Sequence, residues 1–244
     1  MPLIVFEGID GSGKSTVSNQ LAQYLHQKGA YTLWYREPGG TMLGEVIRTI
    51  LKFAKKISII KPRTEFFLFQ AARSQLLYEV NEHLKQGRYV ILDRFTLSTM
   101  VYQVVLNGIP TDTAYQISRY ASYDLIPDIT ILLDLPVDVA IDRLSKRDDN
   151  DGGYDGLEPQ AMQELRDHYL DLARVMGPMV KVVDANRKTV FILEDVIEIV
   201  EKITNPLGAP QAIFFSFSDL NPSLHVPQVN FFLEILTLLI KGAK

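Results

Sequence analysis

The sequence predicts an α/β fold, a doubly wound parallel sheet of about five strands flanked by helices, with a lid and a C-terminal extension. Three observations predict it. Short apolar or β-branched runs alternate with helical patterns from residue 3 to residue 204. The runs Leu3-Ile4-Val5-Phe6, Tyr89-Val90-Ile91-Leu92 and Ile129–Leu135 are almost wholly apolar instead of alternating, as strands covered on both faces are. After Asn205 the alternation stops, and five prolines and glycines fall between Pro206 and Pro227.

In order, Leu3–Phe6 is the first strand. It leads through a glycine-rich turn into a helix carrying Val17, Leu21 and Leu25 and closed by Gly29. Tyr31–Tyr35 is the second strand. Thr41 caps the next helix, which holds Val46, Ile50 and Leu51, with Glu45 favourably placed near its positive end. Pro62 opens a long helix that ends at Gly87, because proline fits a first helical position. Tyr89–Leu92 is the third strand, and it delivers Asp93 to its C-terminal end. Helices follow over Thr96–Asn107 and Thr111–Asp124. Ile129–Leu135 is a buried strand, and Pro136 opens a helix to about Arg147. Residues 148–156 are acidic and glycine-containing without apolar periodicity, so they read as a loop and a lid. A helix over Pro159–Val175, a strand over Val180–Asp184 and a helix over Thr189–Thr204 complete the alternation. No internal repeat is present.

Composition narrows the function. The 244 residues suffice for one sizeable core and a small appendage. The formal charge of −4 supplies no basic field for nucleic acid. The chain has no cysteine, so disulfides and Cys-ligated metals are excluded, in keeping with a reducing cytoplasm. No signal peptide is expected from the first residues. The run Val229–Ile240 is too short and too interrupted (Asn230, Glu234, Thr237) to span a bilayer.

Gly8-Ile9-Asp10-Gly11-Ser12-Gly13-Lys14-Ser15, followed by Thr16, satisfies G-x-x-x-x-G-K-[ST] between a strand and a helix. Glycines let backbone N–H groups converge on phosphate oxygens without side-chain clashes. Lys14 brings a point charge to the β and γ phosphates, Ser15 offers a hydroxyl to Mg²⁺, and the helix dipole favours the anion. The loop fixes the donor's phosphates and leaves the acceptor open. No N-K-x-D signature of a guanine-specific switch is present.

Asp93-Arg94 lies at the tip of the third strand, on the same sheet edge as the loop, where ligands gather in open α/β sheets. A carboxylate there can organise Mg²⁺ or its waters, and Arg94 can grip phosphate bidentately. A structural ion pair is the plainer alternative. Arg36-Glu37-Pro38-Gly39-Gly40-Thr41 reaches the same crevice, and a turn with a helix cap explains only its last two residues. Phe69 and Arg73 are four apart and share a helix face, where a ring and a guanidinium suit a base and its carbonyl. A core phenylalanine beside a snorkelling arginine is the bland reading.

From Leu3 to about Thr204 the chain resembles thymidylate kinases. The resemblance rests on Phe6–Thr16, Arg36–Thr41, Phe69-Gln70-Ala71-Ala72-Arg73, Asp93–Thr99 and Val183-Asp184-Ala185. It implies a P-loop NTPase-type kinase domain over 1–204 that transfers the ATP γ-phosphoryl group to dTMP, giving dTDP for dTTP synthesis, with Mg²⁺. Gly8, Asp10, Gly11, Ser12, Gly13, Lys14, Ser15, Thr16 and Arg143 would hold ATP, with Asp184 and Ala185 in the loop under its base. Ser15 and Asp93 would serve the metal. Asp10, Glu37, Pro38, Arg48, Phe69, Arg73, Arg94, Ser98, Thr99, Tyr102 and Gln103 would form the dTMP site. Within it Phe69 stacks on thymine, Arg73 donates to O4, Arg94 clamps the phosphate, and Tyr102 disfavours a ribose 2′-hydroxyl. Lys14, Arg94, Asp10 and Arg147 would be catalytic. The resemblance also implies a homodimer, while the composition leads to the expectation of a cytoplasmic protein with no nucleic-acid or membrane partner.

The match departs in the lid, about residues 143–158. The family's D-R-x-E element corresponds to Asp155-Gly156-Leu157-Glu158, so its arginine is missing. Arg143, Lys146 and Arg147 precede the loop, and Arg147 is the expected replacement. Two alternatives stay open: a kinase for another deoxynucleotide or deoxynucleoside, and a nucleotide-binding homologue without activity. Residues 205–244 lie beyond the resemblance. Asn230, Glu234, Thr237 and Lys241 form one polar stripe there, and an otherwise apolar helix would have to pack on its own domain or at a subunit interface.

Overall fold

The computed structural model describes residues 2–56, 59–146 and 157–204, all within one compact unit, Met1–Ala209. Arg147, most of the expected lid and the extension over 205–244 lie outside the described residues.

Five parallel strands form one sheet in the order β2-β3-β1-β4-β5. They are β1 (Leu3–Glu7), β2 (Thr32–Arg36), β3 (Tyr89–Asp93), β4 (Ile129–Asp134) and β5 (Val180–Asp184). All of β1 and β3 and nearly all of β4 are buried, as their continuous apolar runs require. The edge strand β5 is half exposed. Side chains alternate across the sheet. Leu3 and Val5 therefore join Leu76, Leu77 and Val80 in one core cluster, while Ile4 and Phe6 join Val17, Leu21, Val196 and Val200 in another.

The connections are helical: α1 (Lys14–Gln27), α2 (Met42–Lys56), α3 (Pro62–Lys85), α4 (Thr96–Ser98), α5 (Thr111–Ala121), α6 (Val137–Ser145), α7 (Pro159–Met176) and α8 (Thr189–Thr204). Local chemistry sets their ends. Thr41 Oγ1 accepts from Gly44 N at 3.0 Å, an N-cap bond. Pro62 occupies the first turn of α3. Gly29 and Gly87 take positive φ just past α1 and α3.

Two predicted elements differ. The helix expected over Thr96–Asn107 is α4 followed by a π-helix over Thr99–Leu106. The wider turn has Thr99, Val101, Tyr102 and Gln103 all buried. The helix expected to reach Asp124 ends at Ala121, because Tyr123 and Asp124 turn left-handed with φ of 53°. Neither position carries the glycine that would have signalled the stop.

Successive connections leave β1 toward β2 on one side, and β4 lies on its other side. This reversal opens a crevice beyond the carboxyl ends of the central strands. Register lines up what enters it: Phe6 and Arg36 both stand opposite Asp93.

Candidate active site

The loop after β1 can pass only as glycine in two places. A Cβ on Gly8 (φ 140°) would lie 2.6 Å from the Leu133 carbonyl oxygen. One on Gly11 (φ 85°) would lie 2.8 Å from that of Ala140 on α6. The loop therefore packs directly on the backbone of the β4–α6 side. Lys14 is buried, and its Nζ donates to Ile9 O at 2.8 Å and Ser12 Oγ at 3.4 Å. Burial pulls its pKa from 10.5 down to about 8. The Arg94 charge acts the same way, while Asp10, Asp93 and Glu7 oppose it.

Ser15 Oγ donates to Asp93 Oδ2, which ties α1 to the end of β3. The other carboxylate oxygen, Asp93 Oδ1, is buried with no hydrogen-bond partner. The next residue, Arg94, has φ 74°, and its N–H donates to Phe6 O at 2.9 Å. Its guanidinium pairs with Asp10 through Nη2. Nη1 donates to Ser98 Oγ at 3.0 Å and to Tyr169 Oη and Gly8 O, each at 3.4 Å. The group lies over the Tyr102 ring, 5.0 Å from its centroid.

Glu37 follows β2, its N–H donating to Asp93 O at 2.9 Å and its bond to Pro38 cis. Glu37 and Arg73 form a buried ion pair: Arg73 Nε donates to Glu37 Oε2 at 2.8 Å, and Nη2 lies 2.6 Å from the same oxygen. Arg73 further donates to Thr99 Oγ1 at 2.8 Å, Phe95 O at 2.9 Å and Gln70 Oε1 at 3.1 Å. Burial pushes the Glu37 carboxyl up, against the pull of Arg73. Its Oε1 is buried without a partner. Arg48 Nη1 donates to Pro38 O at 3.1 Å, and burial lowers its pKa. Asn107 Nδ2 donates to Gln103 Oε1 at 2.8 Å.

One cavity of about 440 Å³ joins these groups. From the loop and the β3 tip it is lined by Asp10, Gly11, Gly13, Lys14, Ser15 and Asp93. Arg94, Ser98 and Tyr102 also line it, as do Glu37, Pro38, Arg48, Phe69, Arg73, Thr99 and Gln103. Its volume falls in the range of small-molecule sites. Gly8, Ser12 and the exposed Thr16 belong to the loop but do not line this cavity. Neither do Arg143, Asp184 and Ala185. Arg143 instead bridges two segments, donating to Ala185 O at 3.0 Å and to Gly11 O at 3.4 Å. Asp184 Oδ1 accepts from Asn186 N at 2.8 Å and shapes the turn after β5.

Among the participants not foreseen in the sequence are Glu7, Tyr169 and Trp34. Glu7, wholly buried, accepts from Phe95 N, Ser98 and Tyr169. Its only signal is a charge ending an apolar strand. Tyr169, on α7, joins from far along the chain with no local motif. Trp34 lines the cavity and donates from Nε1 to Ser18 Oγ at 2.8 Å. Among the described residues no group of three or more His, Cys, Asp or Glu could hold a metal alone, and no helix is long and apolar enough to cross a membrane.

The loop and the cavity beyond it are those of an enzyme that handles phosphates, and comparison with known proteins names the kind. The family model described as thymidylate kinase matches residues 6–196. The chain is 39% identical to a thymidylate kinase of Thermosipho africanus over 203 residues, covering 82% of this chain and 97% of the relative. It is 40% identical to one of Symbiobacterium thermophilum over 206 residues (82% and 92%) and 35% identical to one of Bacillus cytotoxicus over 200 residues (81% and 96%). With this phosphate loop, this joined cavity and matches of that extent, the chain belongs to the thymidylate kinase family.

Proposed function

We propose that this protein transfers the γ-phosphoryl group of ATP to dTMP, giving ADP and dTDP. The observation that carries the reading is that Lys14, Ser15, Arg94, Phe69 and Arg73 all line one cavity. The loop amides and Lys14 hold the donor phosphates, with Arg143, Asp184 and Ala185 toward adenine. Phe69 offers its ring to thymine, and Arg73, Thr99 and Gln103 face the base edge. Arg94 takes the acceptor phosphate, exchanging part of its pairing with Asp10 for that anion. An oxygen of the dTMP phosphate then bonds to the γ phosphorus in line as the bond from that phosphorus to the bridging oxygen breaks and ADP leaves. Catalysis comes from positioning and charge neutralisation, without a covalent enzyme intermediate.

Ser15 and Asp93 fit Mg²⁺. The unpartnered Asp93 Oδ1 beside the Ser15 hydroxyl is an oxygen donor with nothing else to satisfy it. When bound, the ion neutralises charge on the donor phosphates. Arg147 lies outside the described residues; it is proposed as the lid cation that steadies the transferring group. Arg147→Ala should lower turnover about a hundredfold with little change in dTMP affinity; an unchanged rate would remove it from the site. A homodimer in the cytoplasm completes the reading. The exposed aromatic residues Phe67 and Tyr78 on α3 and Tyr115 on α5 support the first, and sizing in solution tests it.

The reading is tested by coupled measurement of ADP release with Mg²⁺, ATP and a panel of dTMP, dUMP, dCMP and thymidine. dTMP should give the highest kcat/KM. Preference for dCMP or for the nucleoside would replace the acceptor, and binding of ATP and dTMP without ADP release would replace the reaction.

A further inference from the structure

We propose that Glu7 is the positioning residue that orients Arg94 for the acceptor phosphate, acting through Ser98 and Tyr169. The inference rests on the proposed function and assigns a role to a residue that touches no substrate. A carboxylate at the end of a central strand, with none of its surface exposed, is costly to keep in a core. Here its side-chain hydrogen bonds go to Phe95, Ser98 and Tyr169, which adjoin or bond Arg94.

Two of its bonds shape the backbone. Glu7 Oε1 accepts from Phe95 N at 2.8 Å and from Ser98 N at 3.1 Å. These brace the turn after β3 in which Arg94 takes its left-handed φ of 74°, a conformation uncommon for a residue with a side chain. Glu7 therefore sets where the Arg94 side chain starts.

The other two bonds set hydrogen-bond direction. Glu7 Oε2 accepts from Ser98 Oγ at 2.6 Å and from Tyr169 Oη at 3.1 Å, and the two hydroxyls lie 2.9 Å apart. An ionised carboxylate can only accept, so the hydroxyl protons turn toward Glu7 or, for Tyr169, toward Ser98. Both oxygens are left with lone pairs directed at Arg94 Nη1, which donates to them at 3.0 and 3.4 Å. The guanidinium is thereby held on its Nη1 side, and Nη2 turns to Asp10 at the cavity. A neutral amide at position 7 would present its NH₂ to one or both hydroxyls. Their protons would then face the Arg94 cation instead of their lone pairs. Burial pushes the Glu7 carboxyl up, while the Ser98 hydrogen bond and the Arg94 charge pull it back toward the ionised form.

The test compares wild type, Glu7→Gln and Tyr169→Phe for calorimetric binding of dTMP and of thymidine, which lacks the phosphate that Arg94 would hold. With Glu7→Gln, dTMP affinity should fall about tenfold or more while thymidine affinity stays within about twofold. Tyr169→Phe, which keeps the ring and removes one acceptor, should show the same selective loss at smaller size. It carries the test alone if the Gln variant does not fold. Equal losses for both ligands would mean general damage to the site and would overturn the proposal, as would no loss for either. A wild-type protein that phosphorylates no dTMP would overturn the proposed function and this inference with it. Wild-type activity beside uniform losses would overturn only the role of Glu7.

Discussion

Lys14 is a buried cation that donates to neutral groups, Ile9 O and Ser12 Oγ, and its burial makes the site sensitive to pH. Its pKa, lowered to about 8 by burial, means that the empty site loses this charge as pH rises through that value. Bound phosphates favour the charged form and raise the pKa, so ATP binding above the free value must take up a proton. The sign follows: ATP affinity is flat below the free pKa and falls above it. The KM for ATP should rise about tenfold between neutral pH and about pH 9, where a group with this pKa is mostly unprotonated. Calorimetry in buffers of different ionisation enthalpy should then show proton uptake on binding. A KM that stays level across that range would contradict the burial of Lys14. Glu37 and Arg73, which line the same cavity, illustrate the same low-dielectric logic. Each is buried, and each would be left as a lone buried charge if the other were removed.

At the scale of elements, the phosphate loop is held by backbone contact with α6. Gly11 at φ 85° lies so close to Ala140 that a Cβ would meet its carbonyl oxygen at 2.8 Å. Gly11→Ala should cost about 1–3 kcal/mol of stability, from the backbone conformation and the clash together. It should also weaken ADP more than thymidine, because the displaced element is the donor loop. Thermal unfolding with and without each ligand checks both, and an Ala variant of wild-type stability and ADP affinity would contradict the packing.

Elements of this kind were legible in the sequence where one local rule governs them. Apolar runs mark strands buried on both faces, Pro62 and Thr41 mark helix starts, and the glycine-lysine spacing marks the loop. What could not be read depended on distant partners. The π-helix over Thr99–Leu106 has no residue signature distinct from an α-helix. The left-handed Tyr123 and Asp124 carry side chains where glycine would have given notice. Glu7 shows in the sequence only as a charge ending an apolar strand, and its bonds to Ser98 and Tyr169 span 91 and 162 positions, so only the folded chain brings them together.

At the scale of the molecule, strand order does the assembling. Placing β1 between β3 and β4 sets the phosphate loop beside the Asp93-Arg94 turn, and pairing β2 with β3 adds Glu37 at the same level. Lys14 and Arg94, 80 positions apart, thereby open onto one cavity, with Ser15 and Asp93 hydrogen-bonded to each other in its lining. Such an arrangement serves transfer between two anions, which must be held close against their mutual repulsion. The most direct measurement of that claim is the affinity of one molecule that fills both sides, adenosine and thymidine joined through a chain of phosphates. Linking two ligands whose sites face each other makes the second binding step intramolecular, so the joined molecule should bind about a hundredfold or more tighter than ATP or dTMP alone. A joined molecule that binds no more tightly than the better of its two halves would show that the pockets do not face each other across one gap, and would contradict the account.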